Sequence, residues 1–264
     1  MVAQRSRLRL LPNVQGARRG HLRIVAVLSV GVAMGTVIVA VALFVSQRQR
    51  GTAVVRQANQ TALGAPIVHF RLDSDGRDEF GHVSLEPLPA DEGGGPVFEA
   101  GAARFGCSAP NCTGPALLAS PGDSRLRLGR DFTISTWVRV DGQQQSDFAM
   151  IFTNGQMKLY MTRRGQLAAA AYGSNGNRSA FVFSRGSIER GAWHHVAVTQ
   201  RGSAFRLWLD GTSMVAHTST ELRPPDQAVY LGRDIVHSPW PGMIDDVTIW
   251  DRELSSRELS LLTR

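Results

Sequence analysis

From about Pro66 onward, the sequence alternates between short apolar runs and clusters of Gly, Asp, Asn and Pro. In the run Phe132–Val140, Phe132, Ile134, Val138 and Val140 are spaced by even numbers of residues. Side chains two apart point to the same face of a strand, so this run predicts a strand with one buried face.

Three more runs have strand character: Trp193–Arg201, Phe205–Asp210 and Thr212–His217. The pair Asp210-Gly211 between the last two is a strong signal for a two-residue hairpin turn. We predict further strands at Ile67–Leu72, Phe148–Thr153, Met157–Met161, Leu167–Tyr172, Ala180–Ser184, Ala228–Gly232 and Met243–Trp250.

The only predicted helix in this part of the chain lies near its end, with Ser255 or Ser256 as its cap and Arg257–Leu262 as its body. Many short strands separated by frequent turns are typical of an antiparallel β-sandwich. No strand–helix–strand alternation occurs, so a nucleotide-binding parallel sheet is not expected.

Residues 24–45 (Ile24 to Val45) form an uncharged run of 22 residues. As a helix rising ~1.5 Å per residue the run would span ~33 Å, enough for a bilayer core. Residues 1–23 carry six arginines and no acid, which favours a cytoplasmic tail and an exported C-terminal part. We therefore predict a transmembrane signal-anchor helix; the alternative is a long cleaved signal peptide ending near Ala40-Val41-Ala42.

Gly31 and Gly35 within this run have the G-x-x-x-G spacing that lets two membrane helices approach closely, so a homodimer is possible. Residues 46–65 are polar and aperiodic and are predicted to be a linker. The division is then a tail at 1–23, an anchor at 24–45, a linker at 46–65 and one domain at 66–264.

The formal net charge of +7 does not indicate a nucleic-acid-binding face. The six arginines of the tail account for most of the charge, because residues 24–264 hold 23 basic and 22 acidic residues. A basic binding surface needs cations concentrated on the folded domain, which this balance does not provide.

Four stretches together resemble a laminin-G-like domain of the concanavalin A-like lectin/glucanase type. They are His69–Asp73 followed by Asp78 and Gly81, Phe132–Val138, Trp193–Val198 continuing into Leu207–Gly211, and Gly242–Trp250 followed by Arg252, Leu254 and Ser255. The resemblance covers roughly Pro66 to Leu262. It implies an all-β jelly roll of two stacked antiparallel sheets that binds a glycan or a protein, often with calcium.

The sequence departs from the family pattern at two places. The loop after the first strand is shortened to Asp78-Glu79-Phe80-Gly81, and the central segment Ser174–Arg190 is not assigned by the resemblance.

Catalysis is not expected. Glucanases of this general fold use an E-x-D-x-E run on one strand face, and the sequence contains none. Asp245 and Asp246 are adjacent and point to opposite faces of a strand, as do His194 and His195, so neither pair forms a catalytic or metal site by itself.

Cys107 and Cys112 are the only cysteines and are separated by four residues. Outside the cytoplasm, a small disulfide loop is the natural interpretation, whereas the spacing does not suit a C-x-x-C redox or zinc motif.

Three tryptophans are candidate ligand-binding residues. Trp208 and Trp137 lie on the strand faces opposite the apolar core residues, so they form a ligand platform unless other segments cover them. Trp240, between Pro239 and Pro241, is the candidate for an exposed aromatic that stacks on a sugar; otherwise it packs over a sheet edge.

The resemblance also implies a calcium site at one rim, with Asp78 and Asp245 as matching carboxylates. Calcium takes 6–8 oxygen ligands, so carbonyls and water must complete the set. The alternative is that these carboxylates pair with Arg71, Arg77 or Arg252, or cap turns.

The sequence thus predicts a non-catalytic, membrane-anchored, extracytoplasmic (periplasmic or extracellular) binding module for a glycan or protein. Two alternatives remain: a structural scaffold of an envelope assembly, and an accessory module of a polysaccharide-active enzyme.

Overall fold

The computed structural model describes residues 63–88, 94–106, 116–119, 123–144, 147–218, 221–224, 229–234, 237 and 239–263. The predicted anchor Ile24–Val45, its Gly31 and Gly35, and the predicted disulfide of Cys107 and Cys112 lie outside these residues and stay predictions. Within the described ranges, no helix has both the length and the apolar character needed to span a bilayer.

The described residues form short strands followed by one helix. The strands are β1 (Val68–Phe70), β2 (Glu86–Pro87), β3 (Val97–Glu99), β4 (Ala102–Arg104), β5 (Leu117–Ala119), β6 (Phe132–Val140), β7 (Phe148–Thr153), β8 (Met157–Thr162), β9 (Gln166–Tyr172), β10 (Arg178–Ser187), β11 (Trp193–Arg201), β12 (Ala204–Leu209), β13 (Thr212–His217), β14 (Val229–Leu231) and β15 (Gly242–Trp250). The helix α1 is Ser256–Leu262, and a 3₁₀ turn occupies Ser124–Leu126.

The strands assemble into two antiparallel sheets. The first has the order β13-β12-β11-β6-β15-β4-β3, with β1 also pairing with β15. The second has the order β10-β9-β8-β7-β14-β5-β2. The predicted all-β, jelly-roll-like sandwich is therefore confirmed.

The main core lies between the sheets and follows the predicted alternation. Phe132, Ile134, Val138 and Val140 of β6 are buried there, together with the inward residues Leu159 of β8 and others from the second sheet. Burying alternate apolar side chains of both sheets is the main stabilising contribution in such a sandwich.

The sequence correctly predicts the β12–β13 turn and the start of α1 from residues that are close together in the chain. At the β12–β13 hairpin, Asp210 has φ 48° and Gly211 has φ 80°, so both central residues adopt the left-handed conformation that a type I′ turn requires. At α1, Ser255 and Glu258 form a reciprocal capping box, which sets the helix start at Ser256.

Strands β2 to β5 were not predicted. Each is only two or three residues long, and Ala102–Arg104 of β4, for example, carries no alternation of apolar and polar residues. The tertiary arrangement sets their pairing: β4 pairs with β15 and β3 with β4, whereas β5 pairs with β14 and β2 with β5. The unassigned segment Ser174–Arg190 contains β10, which pairs with β9 and is longer than the predicted run Ala180–Ser184.

Leu63, the first described residue, lies within the predicted linker at 46–65 and packs against the folded domain. Leu63 is buried in a second apolar cluster with Trp208, Trp250, Leu254 and Leu259. Arg252 also donates a hydrogen bond to the carbonyl oxygen of Leu63. A single Leu in a polar run gives no periodicity, so the sequence does not predict that Leu63 is buried.

Candidate functional site

The helix α1 covers part of the outer face of the first sheet, including Trp208. Trp208 lies on the opposite face from the core residues Phe205 and Leu207, as its position in β12 predicts, but it is only 8% exposed. It packs in the cluster beneath α1, and its Nε1 donates a 3.0 Å hydrogen bond to Oγ1 of Thr199. The C-terminal helix therefore occupies the surface that a platform at Trp208 would need.

Trp137 is half-buried on the same sheet face, away from α1. Its ring meets His195 edge to face at 5.4 Å. Nε2 of His195 in turn is 2.7 Å from Oγ of Ser135. Burial lowers the pKa of His195 to about 4, which keeps the imidazole neutral at physiological pH.

Trp240 is fully buried, so the expectation of an exposed aromatic is wrong. Its Nε1 donates 3.1 Å hydrogen bonds to the carbonyl oxygens of Arg139 and Met243, and the ring belongs to the main core. The flanking prolines are typical of a surface loop, but this loop folds inward and buries the indole in the main core. The three tryptophans therefore do not form one platform.

The two carboxylates predicted for calcium are engaged in the loops that hold them. Asp78 is 3% exposed, and its oxygens accept the backbone N–H groups of His69 at 2.7 Å and His82 at 3.2 Å. Oδ1 of Asp245 accepts the N–H of Asp246 at 2.9 Å. No group of three or more His, Cys, Asp or Glu among the described residues has metal-binding geometry. The donor set therefore fits calcium poorly, because most ligands would have to come from carbonyls and water.

His69 links this region across the sheet. Its Nδ1 is 2.7 Å from Oε2 of Glu79 and its Nε2 is 3.1 Å from Oδ1 of Asp246. Burial alone would lower the pKa of His69, but the hydrogen bonds and charges of Asp246 and Glu79 outweigh it and raise the pKa. Of the predicted alternatives, Asp78 matches turn capping, because it accepts backbone N–H groups, whereas His69 contacts the neighbouring carboxylates of Glu79 and Asp246.

His194 and His195 diverge as predicted. Nδ1 of His194 is 2.7 Å from Oδ2 of Asp210, whereas His195 points to Ser135 on the other face. The Asp210 side chain also accepts the backbone N–H of His195 at 2.9 Å. The pair therefore supports the β12–β13 turn.

The outer face of the second sheet presents a different surface, formed by strands β7 to β10. Alternate residues of β8, β9 and β10 point away from the core because their neighbours Leu159, Ala169 and Val182 point into it. We call the outward set the aromatic face; it consists of Phe148, Met150, Tyr160, Ala168, Ala170, Tyr172, Phe181 and Phe183.

Two alanines form the floor of the aromatic face. Ala168 pairs with Tyr160 on one side and Phe183 on the other, and Ala170 pairs with Phe181. The small alanine side chains leave space above β9 for the neighbouring aromatic rings. Burial raises the pKa of Tyr160 to about 12, so its hydroxyl stays protonated and neutral.

Exposed rings stand at both ends of this face. Phe183 on β10 is 41% exposed and contacts Phe181 at 4.3 Å between ring centroids. Phe148 on β7 is 38% exposed and meets Tyr160 edge to face at 5.1 Å. Three strand spacings of about 4.8 Å separate β7 from β10, so the strands that carry the two rings are roughly 14 Å apart.

Charged groups flank the rings. The guanidinium of Arg178 lies 4.3 Å from the centroid of Phe181, a cation–π contact. At the other end, Nζ of Lys158 donates to Oδ2 of Asp234 at 3.1 Å, and Nδ1 of His237 is 2.7 Å from the same carboxylate. Apolar rings with a few placed polar groups are what ligand-binding surfaces commonly present.

The aromatic face was missed at the sequence level, although the strands carrying it were predicted. The available signal was parity: Phe181 and Phe183 occupy alternate positions, as do Lys158 and Tyr160. What parity could not supply was the neighbour relation β10-β9-β8-β7 that brings these rings together.

The sequence and structure comparisons agree with the fold. The Laminin_G_3 model, described as the concanavalin A-like lectin/glucanases superfamily, matches residues 114–260. No curated protein matches the chain.

Several solved structures are similar to this chain. The binding domain of botulinum neurotoxin serotype D superposes with a TM-score of 0.56 at 14% identity, over 75% of this chain and 50% of that one. Domain 4 of AbnA, an extracellular arabinanase from Geobacillus stearothermophilus, in complex with arabinotriose, has a TM-score of 0.51 at 18% identity, over 75% of this chain and 98% of that domain.

The botulinum neurotoxin DC binding domain, in complex with rat synaptotagmin II, has a TM-score of 0.56 at 13% identity, over 75% of this chain and 51% of that one. The chain spans about half the length of the toxin binding domains it matches, and at these identities the likeness concerns the fold alone. The family match is of a different kind, since it covers more than half of the sequence: the protein belongs to the concanavalin A-like lectin/glucanases superfamily.

Proposed function

We propose that this protein is a non-catalytic binding module that holds a glycan on its aromatic face. The observation that carries the proposal is the pair of exposed rings, Phe148 on β7 and Phe183 on β10, whose strands are about 14 Å apart with the alanine floor of β9 between them. That separation suits an extended oligosaccharide whose sugar rings stack on successive aromatics, rather than a single compact ligand.

The polar groups beside the rings supply orientation. Arg178 is exposed and can donate to sugar hydroxyls, whereas the buried carboxylate of Asp234 holds Lys158 and His237 in place beside the rings. The similar structures include a domain in complex with arabinotriose and one in complex with rat synaptotagmin II. This supports a binding role without choosing between the two ligand classes.

The decisive experiment is a glycan array with the full chain in detergent. We expect Phe183→Ala and Phe148→Ala each to weaken binding to the same glycans at least tenfold, about 1.4 kcal/mol. Phe80→Ala is the matched control, because Phe80 is 42% exposed but lies in the loop after β1. Equal binding by all three variants would refute the assignment of the ligand to the aromatic face.

A protein ligand and a scaffold role are the competing outcomes. A silent array combined with capture of one specific envelope protein, lost in Phe183→Ala, would favour a protein ligand at the same face. A silent array with no effect of either Phe variant on any partner would favour the structural scaffold. Binding that appears only when a polysaccharide-active enzyme is present would favour the accessory module.

We further propose that Ile24–Val45 anchors this module with the domain outside the cytoplasm. The uncharged run and the six preceding arginines support this topology. The full-length protein should stay in the membrane fraction after an alkaline wash, and a reporter fused after Arg264 should be active only outside the cytoplasm. A soluble mature chain starting near Leu43 would show cleavage instead.

A further inference from the structure

Basic residues are concentrated in the part of the chain that carries the aromatic face. Residues 147–190, which contain β7 to β10, hold six basic and two acidic residues. The rest of residues 24–264 holds 17 basic and 20 acidic residues, so the near-neutral total does not show how the charge is distributed. A local excess of positive charge attracts anions more strongly than neutral molecules.

The carboxylates around the aromatic face are engaged with other cations or lie far from Arg178. Asp147 forms an ion pair at 3.5 Å with an arginine of the β8–β9 turn. Asp234 holds Lys158 at 3.1 Å. Glu189 follows β10 and Arg178 begins it, so the length of a ten-residue strand, about 30 Å, separates the two. None of these three carboxylates therefore offsets the charge of Arg178.

Arg178 is well placed to meet a ligand on the aromatic face. Its side chain is exposed, forms no ion pair with a described residue and lies with its guanidinium carbon 4.3 Å from the ring centroid of Phe181. The ring centroids of Phe181 and Phe183 are also 4.3 Å apart. The guanidinium and the exposed Phe183 ring therefore lie within the length of a disaccharide. On the neighbouring strand, the half-buried Tyr172 is the register partner of Arg178.

The geometry of Arg178 matches a carboxylate. A guanidinium is planar, and two of its parallel N–H groups can donate to the two oxygens of one carboxylate. The contact with Phe181 orders the side chain in advance, so less conformational freedom is lost when a ligand binds. Carboxylic acids of this kind are ionised at pH 7. A sugar ring that carries a carboxylate can therefore pack on the rings of β10 and reach the guanidinium at the same time.

We propose that the glycan on the aromatic face is acidic, and that it contains a uronic acid residue whose carboxylate accepts hydrogen bonds from the guanidinium of Arg178. The sugar ring of that residue packs against Phe181 and Phe183. This inference rests on the proposed glycan-binding function and adds the chemical class of its ligand.

Isothermal titration calorimetry with the full chain in an uncharged detergent tests the assignment. The probes are oligogalacturonate, oligomannuronate and oligoglucuronate, each compared with its fully methyl-esterified form, which keeps the sugar rings and removes the charge. We expect at least one acid to bind tenfold or more tightly than its ester, and added salt to weaken binding of the acid only. Arg178→Gln should lower the affinity for that acid at least tenfold and change the affinity for the ester by less than about twofold.

Arg201→Gln is the matched control, because it removes the same charge from an exposed arginine at the end of β11, in the other sheet. It should leave the affinities for acid and ester unchanged. An equal loss for acid and ester in Arg178→Gln would overturn the proposal and assign Arg178 only a supporting contact with Phe181.

The remaining outcomes separate this inference from the proposed function. Equal binding of acids and esters, unaffected by Arg178→Gln but lost in Phe183→Ala, would overturn the acidic ligand and keep the aromatic face as a glycan site. A sulfated galactan oligosaccharide that depends on Arg178 while no uronate binds would overturn the uronic acid in favour of a sulfate. Displacement of the uronate by an equal concentration of poly-L-glutamate would favour an acidic peptide instead. Binding of no glycan at all would refute the proposed function itself.

Discussion

The indole of Trp240 is joined to the backbone of Arg139 by a 3.1 Å hydrogen bond from Nε1 to the carbonyl oxygen. The two residues are far apart in sequence, and the bond fixes the loop before β15 against the end of β6. The approach is so close that a Cβ added at Gly242 would lie 1.9 Å from the same carbonyl oxygen. Trp240 and Gly242 thus hold the loop before β15 close against β6.

Replacing Trp240 should therefore damage stability rather than binding. We expect Trp240→Ala to lower the free energy of unfolding by about 3–5 kcal/mol, because it leaves a large cavity in the core. Trp193→Ala is the control, because Trp193 is 37% exposed and its ring makes a cation–π contact with Arg139 at 5.7 Å, whose loss should cost about 1 kcal/mol. Urea denaturation followed by circular dichroism measures both, and similar values for the two variants would contradict the buried assignment.

Acid should loosen the cap of α1. Arg252 hydrogen-bonds Glu258 at 2.8 Å and, with bonds from Ser255, lowers the pKa of Glu258 to about 2. Because the folded pKa is depressed, the stabilisation is present above pH ~4.5 and is lost as the pH falls toward 2. Glu258→Gln should flatten the dependence of melting temperature on pH in this window. The exposed Glu189→Gln serves as the control; if both variants retain the full acid dependence, the cap is not its source.

The imidazole of His195 should remain neutral at pH values well below those at which an ordinary histidine becomes protonated. Its folded pKa of about 4 is below the unfolded value of 6.5, so the unfolded state binds more protons between these values. Stability should therefore fall as the pH drops from about 6.5 to 4. A two-dimensional NMR titration of the imidazole should give a midpoint near pH 4, and His195→Gln should reduce the slope. A midpoint near 6.5 would show that the ring is not desolvated in solution.

Melting curves with and without calcium test whether Asp78 and Asp245 form a calcium site. Since the side chain of Asp78 is buried and each of its oxygens accepts a backbone N–H, we expect the melting temperature to be the same in millimolar calcium and in chelator. Asp78→Asn should be destabilising in both buffers, because the amide lacks one of the two acceptors. A rise of several degrees with calcium that Asp245→Asn abolishes would instead establish the calcium site.

Much of this protein follows from the chain itself. The even spacing of apolar residues in Phe132–Val140 fixed which face of β6 is buried, since a strand cannot change the parity of its side chains. Asp210-Gly211 fixed the hairpin, and Ser255 with Glu258 fixed the start of the helix, because both depend on bonds between near neighbours in sequence.

Which outward-facing aromatic residues stay exposed as candidate binding residues depends on the tertiary structure alone. Parity places Trp208 and Phe183 equally on outer faces, but only the packing of α1 over one sheet buries Trp208 while Phe183 stays exposed. Likewise, the prolines beside Trp240 do not predict that the carbonyl oxygen of Arg139 accepts a hydrogen bond from its indole. Such outcomes depend on which distant segment covers a surface, and a one-dimensional pattern carries that information only through the fold it produces.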